Sequence, residues 1–209
     1  MQAQYKFFRD LANDDDEKFN ELITFCKKFL NNTLHRPIIH INGPGSNGKS
    51  TLLEILRYIT YPLTWQLNAN MLMNHIHSQH LKYLIVHDSE ECNIEQLISD
   101  LKHLTEANEP KTKFIIVSNI NIPTDDLIFK ERLIHLKMDT VFGNGPNQKK
   151  ADYNIKEKML QNKEQFVEFV LNYKMAYTDS DDSSEEEFIS KKGKIDDKMN
   201  DEIDISICI

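Results

Sequence analysis

Apolar positions along the chain alternate between helical spacing and short continuous runs. Phe19, Leu22, Ile23, Cys26, Phe29 and Leu30 recur at intervals of mostly three or four residues. Asp14, Asp15, Asp16 and Glu17 precede them with capping oxygens and first-turn negative charge, so residues 16–31 are predicted to form an amphipathic helix. Pro37-Ile38-Ile39-His40-Ile41-Asn42 is a β-branched run that stops at a glycine-rich turn. Leu52, Leu53, Ile55, Leu56 and Ile59 then restore the helical period over residues 50–59. Thr64-Trp65-Gln66-Leu67 reads as a short strand, with Trp65 and the Phe and Met positions as core, and residues 69–79 read as a helix.

Lys82 to His87 and Lys113 to Val117 have the pattern of strands buried on both faces, with a helix over 94–105 between them. A helical turn over 126–132 leads into a strand, Leu133 to Lys137, and Gly143-Asn144-Gly145-Pro146 interrupts the chain. Met159, Phe166, Val170 and Tyr173 predict a final helix over 155–173. Nearly continuous apolar strands alternating with helices predict an α/β domain in three layers, its central parallel sheet covered on both faces. The predicted organisation is an N-terminal helical segment (1–36), a core (37–142), a C-terminal helical segment (143–176) and a disordered acidic tail (177–209).

Charge sharpens the last boundary. The net charge of −8 is concentrated after residue 176, where eleven Asp/Glu face four Lys, and the rest of the chain is close to neutral. A stretch such as Thr178 to Glu187 cannot bury enough apolar surface to order itself, and its serines, followed by acids, suit an acid-directed kinase. Near-neutrality of the body argues neither for nor against a nucleic-acid partner. Cys26, Cys92 and Cys208 are widely spaced and odd in number and suit neither a disulfide framework nor a zinc ribbon, which fits a reducing compartment. No apolar run approaches the roughly 18–20 residues of a spanning helix. The opening Met1-Gln2-Ala3-Gln4-Tyr5-Lys6 lacks the layout of a secretion signal, so the expectation is an intracellular protein with no membrane partner. His75, His77 and His80 have no local Cys or acid to complete a metal site and read as a solvated helix end.

Three segments carry candidate chemistry. Gly43-Pro44-Gly45-Ser46-Asn47-Gly48-Lys49-Ser50, followed by Thr51, fits a phosphate-binding loop with a strand before it and a helix after it. Its glycines let successive N–H groups turn inward at phosphates while the following helix presents its positive end. Lys49 is placed to meet the β- and γ-phosphates of ATP, and Ser50 to ligate Mg²⁺. The second segment is Asp88-Ser89-Glu90-Glu91, at the end of a strand expected beside the loop's own strand. Asp88 is read as the metal partner and Glu90 as the water-activating base, with Glu91 the alternative, against the simpler reading of an acidic loop. The third is Asn119, at the tip of a strand expected between the first two. It could bond the attacking water and the γ-phosphate together, or merely form a turn before Pro123.

As an ordered set, these residues resemble the viral superfamily 3 helicases, a branch of the ring-forming ATPases related to AAA+ proteins. The wording at 43–51 looks like the poxvirus-type primase–helicases and their phage relatives. Pro44 and the spacing of about forty residues to Asp88 are also compatible with parvovirus large nonstructural proteins. Leu101 to Thr105, Pro123 and Glu131-Arg132-Leu133-Ile134 follow in the family's order, so the resemblance spans roughly 37–142. It implies a P-loop, AAA+-like ATPase that forms a ring, read as a hexamer, and acts on single-stranded DNA, with RNA not excluded. It also implies that Arg132 reaches a neighbouring subunit's nucleotide, a surface salt bridge being the alternative.

Two features depart from the family. The segment between Thr105 and Phe114 is too short for the basic hairpin with which relatives grip a strand, leaving Lys102, His103, Lys111 and Lys113 as candidates for backbone contact. No primase, nuclease or origin-reading domain accompanies the motifs, which leaves a minimal motor, one subunit of a split machine, or a copy that only binds ATP. A non-catalytic adaptor docked on a larger replication protein is therefore the competing expectation. A small-molecule kinase ranks last, because its lid would need arginines and the chain has only Arg132 after Arg57.

Overall fold

The computed structural model describes residues 2–69, 72, 81–87, 93–106, 112–119, 122 and 127–174. The predicted acidic tail, most of the predicted 69–79 helix, the histidines His75, His77 and His80, Lys111, Pro123 and the acids Asp88, Glu90 and Glu91 lie outside the described residues.

Two N-terminal helices, α1 (Gln2–Leu11) and α2 (Asp16–Leu30), precede the first strand, β1 (Ile38–Asn42). The chain continues through α3 (Lys49–Thr60), β2 (Thr64–Asn68), β3 (Tyr83–His87), α4 (Ile94–Leu104) and β4 (Lys113–Ser118). It closes with α5 (Leu127–Arg132), β5 (Leu133–Lys137), α6 (Ile155–Gln161) and α7 (Lys163–Asn172). The capping predicted around residues 14–17 is made by Asp15, whose side chain accepts the Lys18 N–H at 3.0 Å.

The five strands form one parallel sheet in the order β2-β3-β4-β1-β5. Such a sheet needs cover on both faces, because its strands are apolar on both. Ile39, Ile41, Ile85, Ile115, Val117 and Leu136 face a large core built with α1, α2, α3, α6 and α7. Ile38, Leu84, Val86, Phe114, Ile116 and Leu133 face a smaller core with Leu97 and Leu101 of α4. This is the three-layer α/β arrangement expected from the strand and helix pattern. Among the described residues, no helix is long and apolar enough to cross a membrane.

Several local expectations are corrected. The order of the strands is not among these: β4 lies between β3 and β1, as expected for the strand that leads to Asn119, so the tip of β3 stands two strand spacings, about 10 Å, from that of β1. Trp65 is not core. It is in register with Leu84 on the α4 side, but β2 is an outer strand and the ring remains 48% exposed while Thr64 and Leu67 turn inward. The expected single C-terminal helix is two, broken at Asn162, whose side chain donates to the Lys158 carbonyl instead of leaving the backbone to continue. Finally, α1 has too few apolar positions to announce itself as an element of its own. It is held because Phe8 stacks on Phe166 and Phe169 of α7, at ring-centre distances of 5.6 and 5.9 Å.

Candidate nucleotide-binding site

From β1 the chain crosses to the far edge at β2, returns through β3 to β4, and only then adds β5 on the other side of β1. The direction of winding therefore reverses at β1, and ligands of open α/β sheets bind at such a reversal, beyond the carboxyl ends of the strands. The glycine-rich loop occupies this point.

Its backbone needs glycine at two places. Gly43 has φ +150°, and a Cβ there would overlap the Met138 carbonyl; Gly48 has φ +87° and packs against Leu11 and Phe142. Gly45, by contrast, faces open space. The loop is anchored to the segment after β5: Met138 N–H donates to the Asn42 carbonyl at 2.8 Å and Phe142 N–H to the Ser46 carbonyl at 2.8 Å. Asn47, fully buried, donates to the Met138 carbonyl at 2.7 Å and accepts the Lys49 N–H at 3.2 Å. Pro44 contributes a carbonyl to the Lys49 ammonium.

Lys49 opens α3 and is buried. Its ammonium donates to the Gly43 carbonyl at 2.7 Å, the Pro44 carbonyl at 3.1 Å and Asn119 Oδ1 at 3.1 Å. Gly48 supplies no side-chain cap, so the first N–H groups of α3 and its positive dipole end face the loop. Ser50 is exposed and Thr51 half-buried in that first turn. A ring of inward carbonyls around one ammonium, at an uncapped helix start, suits a polyphosphate: the lysine exchanges carbonyl partners for phosphate oxygens while the N–H groups take the rest.

Beneath the loop lies a polar network that the sequence reading did not identify. Asn42 ends β1 just before Gly43, and Ser118 ends β4 just before Asn119. His40 Nε2 lies 2.8 Å from Ser118 Oγ, and His135 Nε2 donates to Asn42 Oδ1 at 2.8 Å. The two imidazoles stack at 4.9 Å between ring centres. Partial burial, helped by Lys137, holds the His135 pKa below the ordinary imidazole value. The available signal was His40 itself, a polar residue in the middle of an apolar strand.

Lys49, Asn119 and the loop are thus brought together at the tips of β1 and β4. Arg132 is not among them. It ends α5, just before β5 begins, at the opposite end of the strands. Its Nη1 donates to the Lys102 carbonyl at 3.1 Å and Thr105 Oγ1 at 3.2 Å. A five-residue strand spans about 16 Å, so Arg132 cannot reach its own chain's Lys49.

The fold and the loop at its winding reversal define a three-layer, P-loop-like α/β domain. No protein-family model and no curated protein sequence matches the chain. Among solved structures, the A form of the apo NrS-1 C-terminal region is similar, with a TM-score of 0.62 and 15% identity over 83% of this chain and 46% of that one. A second apo structure of the same region gives a TM-score of 0.61 at 15% identity, covering 84% of this chain and 46% of the other. The chain therefore spans less than half the length of the structures it matches. At this identity the likeness is one of fold.

Proposed function

We propose that the chain is a Mg²⁺-dependent ATPase of the superfamily 3 helicase type, working as a ring on single-stranded nucleic acid in viral genome replication. The observation that carries this reading is the contact between Lys49 and Asn119 across adjacent strand tips, over a loop shaped by Gly43 and Gly48. A lysine alone would favour any phosphate. An amide beside its ammonium adds a group that distinguishes a terminal phosphate from its absence.

In this reading ATP, bound with Mg²⁺, supplies the phosphoryl bond that is broken. Gly43, Pro44, Gly45, Ser46, Asn47 and Gly48 wrap the phosphates, and Lys49 balances their charge. Ser50 and Thr51 stand in the first turn of α3, Ser50 with Asp88 on the metal. Glu90 takes the proton of the attacking water, and Asn119 orients that water. Arg132 can act only on a neighbouring subunit's site, since its own lies at the other end of the sheet. It must first exchange the Lys102 carbonyl and Thr105 for a phosphate oxygen. A head-to-tail arrangement that presents each Arg132 to the next Lys49 closes as a ring when the rotation between subunits permits.

Turnover measured together with light-scattering mass tests this reading. ATP and Mg²⁺ should drive assembly, and a single-stranded oligonucleotide should accelerate hydrolysis. Tight ATP binding with no turnover in any assembly state would replace the motor by a nucleotide-binding adaptor.

A further inference from the structure

At the amino ends of the strands, opposite the candidate nucleotide site, cations and exposed rings adjoin one another with no ion-pair partner among the described residues. We propose that this edge is a track for single-stranded nucleic acid. Tyr61, Leu63 and Trp65 present surfaces for bases at the β2 corner, and Lys82, Lys113 and Arg36 meet the phosphates. The proposal rests on the nucleic-acid part of the function above, but uses none of the residues assigned to ATP.

Backbone bonds fix the order of these residues. The Leu63 carbonyl accepts the Lys82 N–H at 2.9 Å, the Lys82 carbonyl accepts the Lys113 N–H at 2.9 Å, and the Pro37 carbonyl accepts the Phe114 N–H at 2.8 Å. Leu63, Lys82, Lys113 and Arg36 therefore stand at successive strand starts, over three strand spacings or about 14 Å. Arg36 is exposed and its guanidinium is pre-set by the Lys130 and Leu133 carbonyls at 3.1 and 2.7 Å.

Several cations on the helical side of the molecule are paired with acids. There Lys6 pairs with Asp10, Lys18 with Asp139, Lys149 with Asp14, Lys156 with Glu54 and Lys158 with Asp152. Among the described residues, Arg36, Lys82 and Lys113 have no ion-pair partner. Of the described acids at this end, Glu106 sits 3.7 Å from His103, and Glu131 is exposed. Burial also pushes the Lys113 pKa down, a cost that a phosphate beside the ammonium would offset.

The rings supply the second half of the chemistry. Single exposed apolar side chains are ordinary, but four of the six large ones exposed among the described residues fall between 58 and 65: Tyr58, Tyr61, Leu63 and Trp65. Tyr61 is 67% exposed. A cationic row with aromatic faces at one end is the arrangement that holds single strands without reading sequence, since every base has a face to stack. A double helix, with its bases stacked inside, would gain only the charge half.

Fluorescence anisotropy of the full chain with a labelled single-stranded oligonucleotide tests the track. Trp65→Ala should weaken binding about 5- to 150-fold. Lys82→Ala should weaken it and flatten the dependence of log affinity on log salt by about 0.7. Lys82→Arg and Trp65→Phe, which keep charge and ring, should bind as the parent does. ATP hydrolysis without oligonucleotide should be unchanged in all four. If the parent binds single strands and both alanine variants match it, the track is overturned while the proposed function stands. If the parent hydrolyses ATP but binds no single strand in any nucleotide state, the track and the nucleic-acid part of the function fall together. Loss of binding in Lys82→Arg and Trp65→Phe as well would also overturn it, because a fold defect and not lost charge or stacking would then explain the alanine results.

Discussion

The two ends of the sheet are built on opposite principles. At the carboxyl ends, the one central cation, Lys49, is buried and held by the Gly43 and Pro44 carbonyls and by Asn119. At the amino ends, Lys82 and Arg36 are exposed, Lys113 is half-buried, and all three lack carboxylate partners among the described residues. A buried cation ringed by dipoles is pre-positioned for one compact anion. A row of exposed cations suits an extended one whose exact placement matters less. Local order around charge, more than charge itself, thus distinguishes the proposed nucleotide site from the proposed docking edge.

Substitutions at the two ends test that contrast. Arg132→Ala should have the largest effect, lowering turnover about 10³- to 10⁵-fold in the assembled state while leaving ATP affinity per chain nearly unchanged. Mixing it with Lys49→Ala chains should recover part of the activity, because some interfaces then pair an intact Arg132 with an intact Lys49. No recovery in a steady-state assay of the mixture would argue against action between subunits. Asn119→Ala should follow, with kcat down about 10²- to 10³-fold and KM changed far less.

Within the loop, Gly43→Ala and Gly45→Ala should separate cleanly. The first forces a Cβ into the Met138 carbonyl at a positive φ and should cost about 1–3 kcal/mol in urea unfolding. The second faces open space and should stay within about 0.5 kcal/mol of the parent. Equal losses would mean that the loop adopts another conformation.

The smallest effect concerns pH. The folded pKa of His135 lies below the ordinary 6.5, so the unfolded chain binds the extra proton first. Its contribution to stability is complete above that value and is lost as pH falls from there toward the folded pKa. A urea midpoint lower at about pH 5.5 than at about pH 7.5 is expected, and His135→Gln should narrow the gap. An unchanged gap would mean that burial does not depress the His135 pKa in the folded chain.

The parts of this molecule that could be read from residues are those whose determinants are local. The loop declared itself because Gly43 and Gly48 are fixed by backbone conformation, with a β-branched run before them and a helical period after. The helix and strand boundaries followed from Asp15, from the spacing of Leu52 to Leu56, and from the continuous run Phe114 to Val117. What the residues did not reveal depends on register between distant segments. Trp65 looks like core until β2 is known to be an outer strand. His40 and His135 meet only because β5 pairs with β1, and Arg132 finds Thr105 only across the sheet's lower edge. The placement of β4 between β3 and β1, which fixes where Asn119 stands, is by contrast the one expected from the order of the motifs.

Equilibrium binding of ATP with Mg²⁺ to the full chain, compared with Lys49→Ala by calorimetry, tests the central claim most directly. The loop as described predicts one ATP bound per chain and a loss of at least about 100-fold in affinity when the ammonium is removed. Equal affinity in the two proteins, or no binding to the parent at any nucleotide concentration, would contradict it.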